Sequence, residues 1–189
     1  MKGCHNAVPE NELKVKYTDT FKWLSYFKKV LLETRKRNSK FYDEKRDPFY
    51  FLDNVGTYTF SPYKVVWREQ NKRMITCVIS TKPSGLLKGK PIIPDSKVLF
   101  CPLDDEKEAH YLCAVLSSKP ITDLIEGYTL EIQRGIDILE NVKIPQFDPK
   151  NKLHFSLSSL SQQAHNAYLN NQNISAIQNK IDSTVLGLF

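Results

Sequence analysis

Four short runs rich in β-branched and aromatic residues, between residues 48 and 103, decide which fold class this chain adopts. Gly, Pro, Asp or Asn bounds each run, as is usual for strands, and the runs are FYFLDNV, YKVVWRE, MITCVIS and KVLFCPL. Patterns with helical spacing stand on both sides, over residues 19–37 and from Asp105 onward. The sequence therefore predicts an α/β (α+β) fold with a mixed sheet, an N-terminal helix and a C-terminal helical pair.

The predicted helices have recognisable ends and apolar stripes. Asp19 is expected to cap the first helix and Asp105 the next, with Glu108 completing a capping box. Pro120 opens a further short helix, and the segment NVKIPQF after it has a strand-like composition. Two late helices, from Leu157 onward, are expected to form an antiparallel pair. Their stripes are Leu157, Leu160, Ala164 and Tyr168, then Ile174, Ile177, Ile181, Val185 and Leu188.

The length of 189 residues suits one domain, or one domain with a helical appendage. We divide the chain into a lead-in helical segment at 1–47, an α/β core at 48–155 and C-terminal helices at 156–189. A run of about 18 apolar residues is absent from the sequence, and so is the apolar core of a secretory signal. We therefore expect a cytoplasmic protein that does not associate with a membrane.

The cysteines also fit a cytoplasmic protein. No pair has the C-x-x-C spacing of zinc sites and redox motifs. Reduced, mostly buried thiols are the better interpretation in a reducing compartment. The four residues concerned are Cys4, Cys77, Cys101 and Cys113.

The net charge of +6 hides an asymmetry between the two halves of the chain. Residues 1–90 carry 19 Lys and Arg against 9 Asp and Glu, whereas residues 91–189 carry 8 against 12. A basic half beside a mildly acidic half suggests one side that faces a polyanion and one that is structural. Unevenly distributed solubility charge is the alternative.

Catalytic motifs are missing from the sequence. Neither a phosphate-binding G-x-x-x-x-G-K-[ST] loop, a G-x-G-x-x-G fingerprint nor a G-x-S-x-G elbow occurs. His110 and Cys113 share a helix face without further metal ligands nearby in sequence, so a core histidine beside a core thiol is the simpler interpretation. His154 and His165 are expected to be caps or surface residues. The acids Asp104, Asp105, Glu106 and Glu108 begin a helix, where its dipole favours them without any metal.

A basic cluster interleaved with aromatic residues is better evidence for binding. Lys64, Arg68, Lys72 and Arg73 lie within ten residues, and three lysines follow in a loop that contains Gly85 and Gly89. Cations hold phosphates, while arginine and planar rings read or stack on bases. In a strand, Tyr63, Val65 and Trp67 share one face, and Lys64, Val66 and Arg68 share the other. Trp67 is therefore predicted to lie in the core.

Five segments in order resemble one family. They resemble the target-recognition region of N6-adenine DNA methyltransferases from restriction–modification systems, those with methylase and specificity module in one polypeptide. The resemblance covers the chain from about Val8 to Phe189, and the order of the segments carries it. The segments are VPENELKVKYTDTFKWLSYFKKVLLETR, DPFYFLDNVGTYTFSPYKVVWRE, IPDSKVLFCPLDDEKEAHYLCAVLSSKPI, ILENVKIPQFDPKNKLHFSLSSLSQQAHNAY and IDSTVLGLF.

The resemblance implies sequence-specific recognition of duplex DNA, which such regions hold while a catalytic domain flips out an adenine. The catalytic domain of the family carries a glycine-rich S-adenosylmethionine motif and an Asn-Pro-Pro-Tyr/Phe motif, and neither occurs in this sequence. The chain therefore resembles a specificity fragment of a larger enzyme, or a free specificity polypeptide beside a methylase. Two departures are Ser117-Ser118, where the family has Asn-Ser, and the missing proline beside Thr18.

The expected site follows from chemistry, because the base-reading loops of the family vary. We expect DNA contacts from cations and two tyrosines, and no catalytic residue, metal or cofactor in this chain, with S-adenosylmethionine held by the parent catalytic domain. Arg46 and Arg134 are weaker choices. The expected DNA-binding residues are Lys64, Arg68, Lys72, Arg73, Lys82, Lys88, Lys90, Tyr58 and Tyr63.

Two other functions remain open on the sequence. The chain is also interpretable as a protein-interaction module that docks its C-terminal stripes, including Ile177 and Ile181, on a methylase or nuclease subunit. A magnesium-dependent nuclease using Asp104, Asp105 and Glu108 is the third hypothesis, and we expect no such cleavage.

Overall fold

The computed structural model describes residues 7–37, 42–52, 54–69, 74–81, 89–95, 97–128 and 142–189. The chain divides into two compact units, Met1–Thr57 and Tyr58–Phe189. The predicted mixed α/β fold, with N-terminal helices and a C-terminal helical pair, is confirmed. The domain boundaries proposed at residues 47 and 155 stay predictions.

The N-terminal unit contains three short helices where the sequence predicted one. They are α1 (Glu10–Lys16), α2 (Thr18–Tyr26) and α3 (Lys28–Arg37). The predicted Asp19 cap is wrong, because Asp19 lies inside α2 and the N-cap position belongs to Tyr17, whose side chain makes no capping bond. The helices run almost end to end, so few of their residues are buried.

The sheet of the C-terminal unit has three antiparallel strands in the order β2-β1-β3. They are β1 (Tyr63–Arg68), β2 (Thr76–Ser80) and β3 (Val98–Leu103), which match three of the four predicted runs. Val65 pairs with Val78 on β2 and with Cys101 on β3, so β1 is hydrogen-bonded on both sides. Strands β2 and β3 are therefore not neighbours in the sheet, because β1 lies between them.

Two segments with strand-like composition form no strand over their described residues. In FYFLDNV, the amide of Phe51 donates to Pro48 O in a turn, Phe49 and Phe51 are buried, and Val55 makes a single β-bridge rather than a strand. In NVKIPQF, Pro145 has no amide hydrogen, and its carbonyl accepts the Tyr111 hydroxyl instead. A strand-like composition alone therefore does not make a strand, because a turn in the first segment and a proline in the second interrupt the ladder.

Over its described residues, the C-terminal unit also contains four α-helices, which form its core with the sheet. The helices are α4 (Glu106–Ser117), α5 (Lys119–Tyr128), α6 (Lys152–Leu169) and α7 (Ser175–Val185). Helix α4 is the central element, with seven of its residues buried, and it contacts the sheet as well as α6 and α7. Helix α6 begins at Lys152 rather than at Leu157, because Asn151 Oδ1 accepts the amides of Leu153 and His154.

The exposed edge of the sheet is closed by a histidine. Strand β2 lies at the edge, and the amide of Val78 donates to His165 Nε2 on α6 at 3.0 Å. The other ring nitrogen of His165 lies 2.8 Å from Ser161 O, which fixes the ring. This bond covers an edge amide that would otherwise be open to another strand. The prediction that His165 is a cap or surface residue is therefore wrong.

The predicted cap of α4 is confirmed, and it yields a first testable effect. Asp105 Oδ1 accepts the Glu108 amide at 2.8 Å, in the geometry of a helix N-cap. We expect Asp105→Ala to lower the free energy of unfolding by about 1 kcal/mol. Asp104→Ala is the matched control, since the neighbouring acid is exposed and is not the cap. Urea titrations should separate the two variants, and equal losses would contradict the capping role.

Candidate nucleic-acid interface

The alternation of β1 gives the sheet two different faces. The register places Val65 and Trp67 on the inner face, which packs against the helices, and both are buried in the core cluster. The core position predicted for Trp67 is thus confirmed. The opposite face, here called the outer face, carries side chains from all three strands. They are Lys64, Val66, Arg68, Cys77, Ile79 and Phe100.

Lys64 lies on the outer face, but it does not present its charge to solvent. Only 2% of the residue is exposed, and its ammonium donates to Ser61 O at 2.8 Å. The same nitrogen lies 6.0 Å from the centre of the Phe100 ring. Burial lowers the pKa of Lys64. The predicted contact of Lys64 with a phosphate is therefore wrong. Its ammonium instead binds the carbonyl of Ser61, in the segment that precedes β1.

The burial of Lys64 makes a prediction about stability. Lys64→Met keeps the aliphatic stem and removes a charge whose burial is unfavourable. We expect the variant to unfold at a urea midpoint equal to or above that of the parent chain at pH 7. A clearly lower midpoint would show that the Ser61 hydrogen bond outweighs the cost of burying the charge.

Arg68 is exposed at the end of β1, and the DNA contact that the sequence assigned to it stays a prediction. Its Cα pairs with Val98, so the residue before Val98, Lys97, comes close to the same end of the sheet. Lys97 Nζ lies 3.4 Å from Glu69 Oε2, and the Glu69 amide donates to Lys97 O at 3.1 Å. Sequence analysis missed Lys97 as a site residue, and its only signal was its position as the first residue of the predicted strand KVLFCPL.

The two predicted tyrosines occupy different environments. Tyr58 is half-buried, and its ring centre lies 6.1 Å from that of Phe100 on the outer face. Tyr63 packs against the core cluster from the inner face. Tyr58 therefore lies next to the surface that Arg68 shares, whereas the core position of Tyr63 argues against base stacking by its ring.

The remaining predicted cations are only partly described. Lys90 is exposed in the loop before β3. Arg46 belongs to the N-terminal unit and binds the buried carboxylate of Asp47 with two hydrogen bonds, of 2.9 and 2.8 Å. That bidentate pair accounts for Arg46 without a nucleic acid. The residues Lys72, Arg73, Lys82, Lys88 and Arg134 lie outside the described residues.

The predicted core histidine and thiol are confirmed. His110 is buried with its Nδ1 3.0 Å from Ser161 Oγ, and Cys113 Sγ lies 3.5 Å from Thr76 Oγ1. Burial raises the pKa of Cys113 to about 11. Within the described ranges, no group of three or more His, Cys, Asp or Glu side chains could hold a metal ion. This polar cluster joins β2, α4 and α6 and has a structural role.

The other histidine and cysteine predictions need correction. His154 is buried, and its Nδ1 accepts the amide of Asp148 at 3.0 Å, so it is neither a surface residue nor the cap of α6. Its ring lies 4.6 Å from that of Tyr111. Among the described cysteines, Cys113 is buried and Cys101 half-buried, but Cys77 is exposed. The prediction of mostly buried thiols therefore fails at Cys77, which lies on the outer face.

A groove of about 450 Å³ runs beside the start of α6. Its lining mixes Lys150 and Lys152 with the apolar side chains of Phe155 and Leu160. Asn151 already accepts two amides of this helix end, which lowers the number of donors left for an anion. We assign the groove no ligand.

Comparison with protein-family models and with curated proteins finds no match to this chain. Among the helices of the described ranges, none has the length and apolar composition needed to cross a membrane.

Proposed function

We propose that the chain is a recognition domain for duplex DNA, working with an adenine-N6 methyltransferase of a restriction–modification system. The ordered family segments support this function, and the charge asymmetry of the sequence agrees with it. The observation that carries the proposal is Arg68, an exposed cation at the end of β1 next to Lys97. Helices cover the inner face of the sheet, so the outer face and its adjoining loops are the part of the C-terminal unit that we assign to DNA.

The proposal includes no chemistry at the target base. The S-adenosylmethionine and Asn-Pro-Pro-Tyr/Phe motifs are absent from the sequence, so methyl transfer would belong to a catalytic domain outside this chain. What this chain's own residues do is electrostatic: Arg68, Lys90 and Lys97 neutralise backbone phosphates, and loop residues read the base edges.

The docking hypothesis for the C-terminal stripe loses its motivation. Ile181 and Val185 are buried, and Ile177 packs against the same core cluster. These residues of the stripe are therefore covered by the core of the C-terminal unit, so they do not form a free surface. The nuclease hypothesis likewise loses Asp105, whose carboxylate caps α4.

Salt-dependent binding to a mixed-sequence duplex tests the proposal. We expect affinity to fall linearly with salt on logarithmic axes, as counterions are released from the phosphates. If each cation neutralises one phosphate, Arg68→Gln and Lys90→Gln should each reduce the slope of log affinity against log salt concentration by about 0.9 in magnitude. Fluorescence anisotropy of a labelled duplex measures both quantities.

Lys64→Met is the matched control, because it removes a positive charge that is buried rather than exposed. We expect its duplex affinity and its salt dependence to equal those of the parent chain. The proposal fails if no binding occurs at low salt, or if Lys64→Met weakens binding as much as Arg68→Gln does.

A further inference from the structure

Three aromatic rings form an exposed cluster in the N-terminal unit. Trp23, Tyr26 and Phe27, here called the three-ring cluster, are 64%, 86% and 39% exposed. The centre of the Phe27 ring lies 5.1 Å from that of Trp23 and 5.3 Å from that of Tyr26, both in edge-to-face geometry. The rings are therefore one continuous surface and not three separate exposed residues.

The break between two helices creates this surface. Helix α2 buries none of its residues, and it ends where the Phe27 amide donates to Leu24 O at 3.0 Å. Trp23 and Phe27 are one helical turn apart, and the turn brings Tyr26 against the same ring. Contiguous apolar surface of this kind marks an interaction site more often than a solvated face.

The charges around the three-ring cluster indicate what binds there. Lys22 lies four residues before Tyr26 and Lys29 three residues after it, and both are exposed. Lys22 Nζ also lies 4.0 Å from Asp19 Oδ1, and the Lys28 ammonium lies over the Phe49 ring, 5.1 Å from its centre, and is not counted with the cluster. Lysine is depleted in the cores of protein interfaces, and a second copy would bring like charges together. Cations beside exposed rings are instead the combination that holds a phosphate backbone while bases stack.

We propose that the three-ring cluster stacks the unpaired bases of a single-stranded nucleic acid. In a duplex, neighbouring base pairs cover the base faces, so stacking on Trp23 or Tyr26 requires a strand with unpaired bases. The lysines beside the rings neutralise the phosphates of that strand. This site belongs to the N-terminal unit and is separate in its residues from the duplex surface proposed for the outer face of the sheet.

Tryptophan fluorescence tests the stacking directly. The chain has two tryptophans, Trp23 and the buried Trp67, so Trp67→Phe leaves Trp23 as the only reporter. We expect oligothymidylate to quench that emission, and an abasic phosphodiester of equal length and charge to quench it far less. Equal responses to the two probes would overturn the proposal, because they would leave only non-specific charge attraction.

A second measurement does not depend on Trp67→Phe folding. In the otherwise unaltered chain, Tyr26→Ala should weaken binding of labelled oligothymidylate by about tenfold, the loss of one stacked base. Tyr168→Ala removes a tyrosine that is 72% exposed on α6 and should change nothing. The proposal would be overturned if the Tyr26→Ala and parent chains bound oligothymidylate with equal affinity. It would also be overturned if the parent chain self-associated and Tyr26→Ala abolished that self-association.

The two proposals fail separately. Arg68→Gln should weaken duplex binding and leave oligothymidylate binding unchanged, whereas Tyr26→Ala should do the reverse. If Arg68→Gln weakened both to the same degree, one shared surface would explain the data and the separate single-strand site would be wrong.

Discussion

Trp67→Ala is expected to lower the free energy of unfolding by roughly 3 to 5 kcal/mol, the usual cost of deleting a buried tryptophan side chain. Trp67 is 2% exposed and belongs to the core cluster between the sheet and the helices. Neighbouring strands hold its backbone on both sides, at Thr76 and Leu99, so the surroundings have little freedom to collapse into the space. Urea unfolding followed by circular dichroism measures the loss without relying on tryptophan emission.

Trp67→Phe is the control for Trp67→Ala, because it retains most of the aromatic area. The indole Nε1 is buried and has no hydrogen-bond partner in the structure as described, so removing it also removes an unsatisfied donor. We expect this variant to lie within about 1.5 kcal/mol of the parent chain, as volume-conserving changes do. A loss as large as that of Trp67→Ala would show that the indole nitrogen has a stabilising partner.

The second large expected effect is a loss of folding stability at alkaline pH, and the buried thiol of Cys113 contributes directly to it. Burial raises the pKa of its thiol from 9.0 to about 11 in the folded chain. Between those two values the unfolded state loses its thiol proton and the folded state keeps it, so stability falls as pH rises. For Cys113 alone we expect a loss of about 2 kcal/mol by pH 11, since one pKa unit corresponds to about 1.4 kcal/mol.

Other groups modify this pH dependence in known directions. Burial also raises the pKa of Tyr111, to about 12, which extends the loss of stability beyond pH 10. Lys64 acts in the opposite direction: its lowered pKa makes stability rise as pH increases from that value to the unfolded value of 10.5. The Cys113 contribution is therefore best isolated below the range in which Tyr111 titrates.

The variant Cys113→Ala tests whether the Cys113 thiol causes this loss of stability at alkaline pH. Unfolding free energies at pH 8.0, 9.0 and 10.0 in the presence of a reductant should fall less steeply for this variant than for the parent chain. Cys77→Ala is the comparison variant: burial raises the pKa of this more exposed thiol as well, but less than that of Cys113, so its removal should flatten the slope less. The assignment is wrong if Cys113→Ala and the parent chain show the same slope.

Local sequence patterns predicted the elements whose partners lie nearby in the chain. The Asp105 cap of α4 was predictable because the donor, the Glu108 amide, lies three residues from its acceptor. The three strands were predictable because alternation, β-branched residues and turn residues coincided. FYFLDNV satisfied the same local criteria, but its described residues form a turn closed by the Phe51 amide and a single bridge at Val55 instead of a strand.

The candidate site was less predictable for a similar reason. Lys64 and Arg68 are chemically equivalent in a sequence argument, and both alternate to the outer face of β1. Only the packing of Phe100 and the carbonyl of Ser61 separates them, leaving Lys64 buried and Arg68 exposed. His165 shows the same limit, since its partner, Val78, is 87 residues away.

The sequence by itself determined the fold class, the three strands, the α4 cap and the core position of Trp67. These features depend on periodicity and on contacts between residues close in the chain, and both can be recognised from the amino-acid sequence. Only the tertiary structure decided which cation of β1 faces solvent, where His165 meets the sheet edge, and which aromatic residues remain uncovered. Each of those outcomes depends on which distant element covers a side chain, and burial is a property of the folded assembly rather than of any local segment.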